Sequence, residues 1–572
     1  MKNLKLRNIL IMSQDVENTR IILENARARG TGATIAAFIK LSGPGWMQGA
    51  ITLGGGSLAS GLYLGVLGGY QFLWLQPIAM ILGIVMLSAI SYVTLSTGER
   101  PFDAIKKHVN PVMGWGWVIA VLLANLVWVL PQFALATAAI RQNLLPNIFG
   151  GDAMDANTAK IIVSSAIMVI CIIAVSFYHK DNKGQKILDN VLKLLVALIV
   201  LSFIGVVIIL LTSENGLDLG VVLAGFKPSL SIFTTPAASY NEYLSATGEQ
   251  FSKYWSNIIV TEQRKVVIAA FSTVIGINMT FLLPYSIIKR GWDKSFRSLA
   301  IFDLSIGLFV PFVVAISCVV ISAAAQFHAK PAAATVLELN KENVTQHHKY
   351  FGRAKTRIAF EMNDRVAFDA LTQDELFIKV NALPLADKNM ASMLIKRGAF
   401  DLGISLAPLA GKKVAQYIFG FGVLAMGIST IIILMMINGL VVCEMFGKPN
   451  DPTLSRIGSY IPAIGVIGPI IWTGTTAMWM AVPTSMFGMV LLPIAYFSFW
   501  VLMNQKKLLG DQMPQGGTRL VWNVFMGTAT CVAIFGAYWS INSSHLIRKE
   551  GYIAVSLFLV LVVITHFVRK KS

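Results

Sequence analysis

Long apolar stretches alternate with short polar ones along this chain, and the first of them is the most informative. Between Lys40 and Glu99 there is no Asp, Glu, Lys, Arg or His. One helical crossing of a bilayer needs roughly 20 apolar residues, so this run predicts two crossings. Over the whole chain the pattern predicts twelve spans. The first six fall at 44–66, 70–96, 112–142, 160–178, 187–212 and 266–288. The second six fall at 298–327, 414–445, 458–474, 475–503, 518–541 and 551–569.

Two of these spans carry helix breakers at their centre. Gly54-Gly55-Gly56-Ser57 lies in the middle of the first, where each glycine costs about 1 kcal/mol relative to alanine. Gly276-Ile277-Asn278-Met279-Thr280 precedes Pro284 in the sixth, and proline removes a backbone donor while crowding the preceding turn. Freed backbone groups at membrane depth are tolerated where protein or a watery cavity receives them. Breaks in the first and sixth of ten core spans match an inverted repeat of five plus five, with a solute site where the breaks meet. The candidate substrate-binding residues are therefore Gly54, Gly55, Gly56, Ser57, Asn278, Met279 and Thr280.

Composition agrees. Hydrophobic residues make up 55% of the chain and charged residues 13%, against about 25% charged in soluble domains; the mean hydropathy is +0.65. This is an all-α polytopic membrane protein, and no cleavable secretory signal is read ahead of the first span. The net charge of +18 does not mark a nucleic-acid partner, because the bases gather at the ends of apolar runs rather than in an aromatic-laced groove. Lys2, Lys5, Arg7, Arg20, Arg27, Arg29 and Lys40 precede the first span, and Arg569-Lys570-Lys571 close the chain. The positive-inside pattern then puts both termini in the cytoplasm of a cell-membrane protein surrounded by lipid. Cys171, Cys318, Cys443 and Cys531 all fall within spans without metal-ligand spacing and read as small buried apolar groups. No cofactor or resident-metal motif is present, nor any set of nucleophile, base and orienting group.

The expected organisation is a cytoplasmic segment at 1–41 with an amphipathic helix ending near Gly30, a first repeat half at 42–212, an outer loop at 213–265, a second half at 266–503 and two final helices with a basic tail at 504–572. The amphipathic helix lies on the membrane or on the cytoplasmic side of the bundle. Within the second half, residues 329–400 alternate charges with short apolar patches. They read as a small cap, a partner-binding insertion, or a disordered or merely tolerated one. His347-His348 lies there without a third ligand in register and reads as two solvated histidines.

Several landmarks resemble the Nramp (natural resistance-associated macrophage protein) family. They are Ser42-Gly43-Pro44-Gly45; Gly69-Tyr70-Gln71-Phe72-Leu73-Trp74; Phe302-Asp303; Ala323-Ala324-Ala325-Gln326-Phe327-His328; the stretch from Phe419 to Thr430 with Gly439 and Glu444; Leu492-Pro493-Ile494-Ala495-Tyr496-Phe497; and Lys507-Leu508-Leu509-Gly510. They occur in order over residues 42–510 apart from the two outer insertions. The resemblance implies a leucine-transporter-type 5+5 inverted repeat and proton-coupled import of divalent transition metals.

The expected metal ligands are replaced. The family's first-helix Asp-Pro-Gly-Asn falls on Gly54-Gly55-Gly56-Ser57, and its sixth-helix Met-Pro-His falls near Ile277-Asn278-Met279. Its third-helix acids align near Pro131 and Ala134, with no Asp or Glu between Asp103 and Asp152, and its tenth-helix glutamine aligns near Met480. Divalent ions stripped of water ordinarily take at least one anionic ligand. A neutral set of backbone carbonyls, Ser57 and Thr280 hydroxyls, the Asn278 amide and the Met279 thioether suits a partly hydrated ion instead. The leading expectation is a metal-ion secondary transporter that departs from the usual proton-coupled Mn²⁺/Fe²⁺ import. One alternative is a transporter of an amino acid or other small carboxylate, held on the half-helix N-terminus at Gly54–Ser57, with Tyr63, Trp128, Phe281 and Tyr285 around it. Another is a non-transporting sensor or scaffold acting through 329–400. Asp303 and Glu444, at predicted cytoplasmic helix ends, read as capping or gate residues.

Overall fold

The computed structural model describes residues 16–571 except 152, 179–181, 215, 334–336, 341, 342, 345, 346, 450, 473–480 and 544–547. No β-strand occurs among the described residues. An amphipathic helix over 16–28 (α1) and a second, Thr31–Leu41 (α2), open the chain. Leu23, Ala26, Ala37 and Phe38 bury their apolar face against Phe296 and Leu299. Arg20 pairs with Asp293 at 2.8 Å, and Arg27 donates to the Ser298 hydroxyl at 2.9 Å. The segment packs against the bundle beside the helix Arg297–Leu304.

Eleven helical stretches among the described residues are long and apolar enough to cross a membrane. A bent pair, α3 (Pro44–Thr52) and α4 (Gly55–Gly68, continuing to Phe72), kinked by 55°, makes a twelfth. The first half continues with α5 (Leu75–Thr97), a short α6 (Pro101–His108), α7 (Pro111–Ala139), α8 (Ala156–Tyr178) and α9 (Asn182–Leu211). The second half holds α10 (Glu249–Val274) and α11 (Ile277–Lys289), then α12 (Arg297–Leu304) running through a π-turn into α13 (Val310–Phe327). After the insertion come α14 (Lys412–Met445), α15 (Pro452–Tyr460) with its irregular extension to Ile471, and α16 (Ala481–Met503). Two further helices, Gly516–Ser543 and Arg548–Lys571, lie outside the repeat. Cys171, Cys318 and Cys443 are buried as expected, but Cys531, on the first of these last helices, is exposed.

Small residues set how closely the core helices pack. A Cβ on Gly427 of α14 would lie 2.7 Å from Ala136 Cβ of α7, and one on Gly420 would lie 2.8 Å from Asn143 Cβ. These close approaches let backbones touch where apolar burial alone gives lipid-facing helices no preference. The contacts 143/420, 136/427 and 125/438 run in opposite numerical order, so α7 and α14 are antiparallel.

The sixth span corrects the expected outer loop at 213–265. Its helix starts at Glu249, far ahead of the apolar run at 266. Glu249, Lys253, Glu262, Arg264 and Lys265 lie in its first turns, so hydropathy stops short while the helix continues. The insertion covers those turns. It is folded over its described residues, with helices at His348–Met362, Gln373–Asn381 and Leu385–Met393 around buried Tyr350, Ala354, Ile358, Val380 and Met390. It docks on α10 through a buried pair. Arg357 meets Asp387 at 3.0 Å, and Trp255 of α10 donates its indole N–H to the same carboxylate at 2.7 Å.

Candidate functional site

The two breaks meet around a cavity of about 50 Å³ lined by Thr52, Gly54, Gly56 and Ser57 from the first span and Thr273, Gly276, Asn278 and Met279 from the sixth. Trp128 and Gln132 of α7, Thr430 and Leu434 of α14, and Thr484 and Ser485 of α16 close its sides. Among the described residues no charged side chain lines it. Among the described residues no cluster of three His, Cys, Asp or Glu side chains could hold a metal.

The first break is narrower than the glycine run implies. α3 ends at Thr52 and α4 begins at Gly55, so only Leu53 and Gly54 are non-helical, and Gly55, Gly56 and Ser57 form the first turn of α4. Gly54 has extended backbone (φ −114°, ψ −176°), which any residue adopts. Its lack of a side chain answers a different need: a Cβ there would lie 2.7 Å from the Thr430 hydroxyl and 3.5 Å from Gln132 Oε1. Gly276 likewise makes room, since a Cβ would lie 2.6 Å from the Trp128 ring. Trp128 is held by its own indole N–H, which donates to the Thr484 carbonyl at 2.7 Å.

Hydrogen bonds lock the halves together. Ser57 Oγ lies 2.6 Å from the Thr52 carbonyl and 3.2 Å from the Thr273 carbonyl, tying the ends of α3 and α10 to the start of α4. Met279 Sδ accepts from the Thr52 hydroxyl at 3.1 Å, a contact from the sixth span to the first. The Gly55 N–H, one of the amides expected to be free for an anion, donates to Gln132 Oε1 at 3.0 Å.

Of the seven residues expected at the site, Gly54, Gly56, Ser57, Asn278 and Met279 line the cavity, while Gly55 sits behind Gln132. Thr280 turns away: its hydroxyl donates to the Ile277 carbonyl and accepts from the Trp117 indole at 3.0 Å. Of the expected aromatics only Trp128 lines the cavity. Phe281 stacks on Tyr285 with centroids 4.3 Å apart, and the Tyr63 hydroxyl donates to Glu262 at 2.8 Å. Sequence reading missed Gln132 and Thr430. Gln132 lies between the aligned positions Pro131 and Ala134, and polar residues at helical spacing inside apolar spans were the available signal. Met480 lies outside the described residues.

Polar contacts lie on both sides of the site. On one side, Glu262 takes the Tyr63 hydroxyl, with Lys265 at 3.3 Å and Arg353 of the insertion at 3.9 Å. Above them lies a broad cavity of about 910 Å³ lined by Tyr254, Lys265, Arg353 and Phe360. Lys396 packs over the Tyr63 ring there, and burial pushes its amine below the usual lysine range against the opposing pull of Glu262. On the other side Asp303 accepts from Gly43 and Gly45 at the start of α3, Lys193 donates to the Ser42 carbonyl at 2.9 Å, and Arg100 meets Glu444 at 3.2 Å.

Two comparisons bear on this arrangement. A search of curated proteins finds no match. Among solved structures, two variants of the Eremococcus coleocola manganese transporter share 13% sequence identity and align with TM-score 0.53 over 94% of this chain and 96% of theirs. The same transporter in complex with an aromatic bis-isothiourea substituted compound aligns with TM-score 0.52 at 12% identity, over the same shares. At that identity the likeness establishes the fold, a leucine-transporter-type repeat. A family model described as natural resistance-associated macrophage protein-like matches residues 45–346 and 383–541, leaving 347–382 of the insertion unmatched. With most of the chain inside that match and the two broken spans in place, the protein belongs to the Nramp family and is a multi-pass metal-ion transporter.

Proposed function

We propose that the chain carries a small divalent cation with part of its water shell through the cavity between the two breaks, by alternating access. The cavity volume carries the reading. About 50 Å³ accommodates one or two waters, and drug-sized solutes occupy pockets several times larger. The organic-solute alternative is disfavoured by this size, and the scaffold alternative by a polar cavity at the meeting point of two broken helices. The donor set of Ser57, Gln132, Asn278, Met279 and Thr430 is neutral, so retained water rather than a carboxylate must offset much of the ion's charge. The Glu262–Tyr63 contact under the insertion serves as the outer closure and the Asp303–α3 contact as the inner one. Basic residues at 1–41 and at Arg569-Lys570-Lys571 support cytoplasmic termini in the cell membrane, and residues 329–400 then form an outer cap.

Uptake of Mn²⁺ and Mg²⁺ into proteoliposomes loaded with a divalent-metal indicator tests this. Saturable uptake of either ion is the expected result. A folded wild-type protein that carries neither, while taking up small carboxylates, would overturn the reading.

A further inference from the structure

Four of the helices that line the central cavity continue their lining face with a buried polar residue on the side toward Glu444. Gln48 lies one turn before Ile51 and Thr52 on α3, Asn125 one turn before Trp128 on α7, and Asn438 one turn after Leu434 on α14. Tyr285 lies two turns after Asn278 on α11. Residues three, four and seven apart share a helix face, so these residues continue the cavity-lining faces of their helices. Two turns correspond to about 11 Å. Glu444, paired with Arg100, follows Asn438 by under two turns.

Gln48, Asn125 and Asn438 are each fully buried. Asn125 Nδ2 donates to Asn438 Oδ1 at 2.7 Å, joining α7 to α14. Two amides that served only to join helices would be expected to satisfy each other reciprocally. Here Asn125 Oδ1 and Asn438 Nδ2 have no partner among the described residues, and neither do the amide oxygen and nitrogen of Gln48. Buried polar atoms left open are costly, and polar groups inside membrane spans mark solute paths.

We propose that Gln48, Asn125 and Asn438 form a second polar station for a hydrated divalent cation, between the central cavity and Glu444. It rests on the central cavity being a cation site. Amides carry both acceptors and donors: Asn125 Oδ1 and Gln48 Oε1 take hydrogen bonds from the waters bound to the ion, whose oxygens face the metal, while Asn438 Nδ2 and Gln48 Nε2 donate to waters beyond that shell. The station holds the ion through its shell, so it eases passage without adding a tight site that would hinder release.

The test uses the full-length protein in proteoliposomes, with Mn²⁺ and Mg²⁺ as probes. N125L/N438L replaces both partners by apolar groups of similar size, a change that a purely structural pair tolerates. The station predicts that its maximal uptake rate falls about tenfold while half-saturation changes less than about twofold. Uptake equal to wild type overturns the proposal. A second measurement stands if that variant fails to fold. Asn438→Cys, in a background carrying Cys171→Ser, Cys318→Ser, Cys443→Ser and Cys531→Ser, should react with a small methanethiosulfonate and be protected by either ion. No reaction, or reaction indifferent to both ions, overturns it. Saturable wild-type uptake with an unreactive Asn438→Cys removes the station and leaves the central site standing. Ion-protected reaction in a chain that takes up neither ion keeps the station and overturns the transport reading.

Discussion

Asp303 holds Gly45: its carboxylate accepts the Gly45 N–H at 2.6 Å and the neighbouring Gly43 N–H at 3.0 Å. These amides lie at the start of α3, where a helix has N–H groups without intrahelical partners and favours an anion. The fit leaves no space for a side chain, since a Cβ on Gly45 would collide with the Asp303 backbone carbonyl. One acid therefore caps the first half of the first span and fixes it against α12.

Removing that acid should free the half-helix. Asp303→Ala is expected to cost about 2 kcal/mol, seen as a lower melting temperature of the purified protein, with Asp303→Asn affected less. In the cysteine-free background, Met47→Cys should react faster with a polar thiol reagent once Asp303 is Ala. An unchanged rate would show that the cap does not hold the gate.

Gly54 and Thr430 should be energetically coupled. Gly54→Ala places a Cβ 2.7 Å from the Thr430 hydroxyl, and overpacking of this kind costs about 1–3 kcal/mol. Thr430→Ala removes the obstructing atom, so Gly54→Ala/Thr430→Ala should be more stable than the sum of the single changes predicts. Additive melting shifts would mean that the break relaxes on its own. Restoring an acid by Gly54→Asp meets the same obstruction and should also need Thr430→Ala.

Thr280 should matter for stability and not for ion affinity. Thr280→Val leaves the buried Trp117 indole N–H without its acceptor, a loss of about 1–3 kcal/mol. Thr280→Ser keeps the hydroxyl and should restore the melting temperature. Half-saturation for Mn²⁺ or Mg²⁺ should stay at the wild-type value in both, whereas Asn278→Ala should raise it.

The cap should detach when its buried pair is broken from one side. Asp387→Ala leaves Arg357, 1% exposed, with the exposed Glu361 as its remaining carboxylate at 2.8 Å and strips the Trp255 indole of its acceptor, at a cost of about 1–3 kcal/mol. Limited proteolysis should then cut within 347–400 while the spans remain intact. Arg357→Met/Asp387→Leu removes both charges and should resist cleavage better than Asp387→Ala.

The chain's own pattern determined the spans and the two breaks, because both arise locally. Apolar length sets a crossing, and Gly54 and Gly276 weaken a helix wherever they stand. It also marked Asp303 as a cap or gate, since an acid at the end of an apolar run has few other uses. Where the helix of the sixth span begins was hidden, because Glu249, Lys253, Glu262, Arg264 and Lys265 interrupt the apolar pattern and the insertion packed on those turns lies far away in the chain. Which polar side chains face the cavity was decided by tertiary structure alone. Gln132 reaches Gly55 across 77 residues, Thr430 is set against Gly54 by the packing of α14 on the first span, and Thr280 turns toward Trp117. A sequence records that a residue is polar and sits in a span, while the direction its side chain takes depends on the rotation of each helix against neighbours far away in the chain.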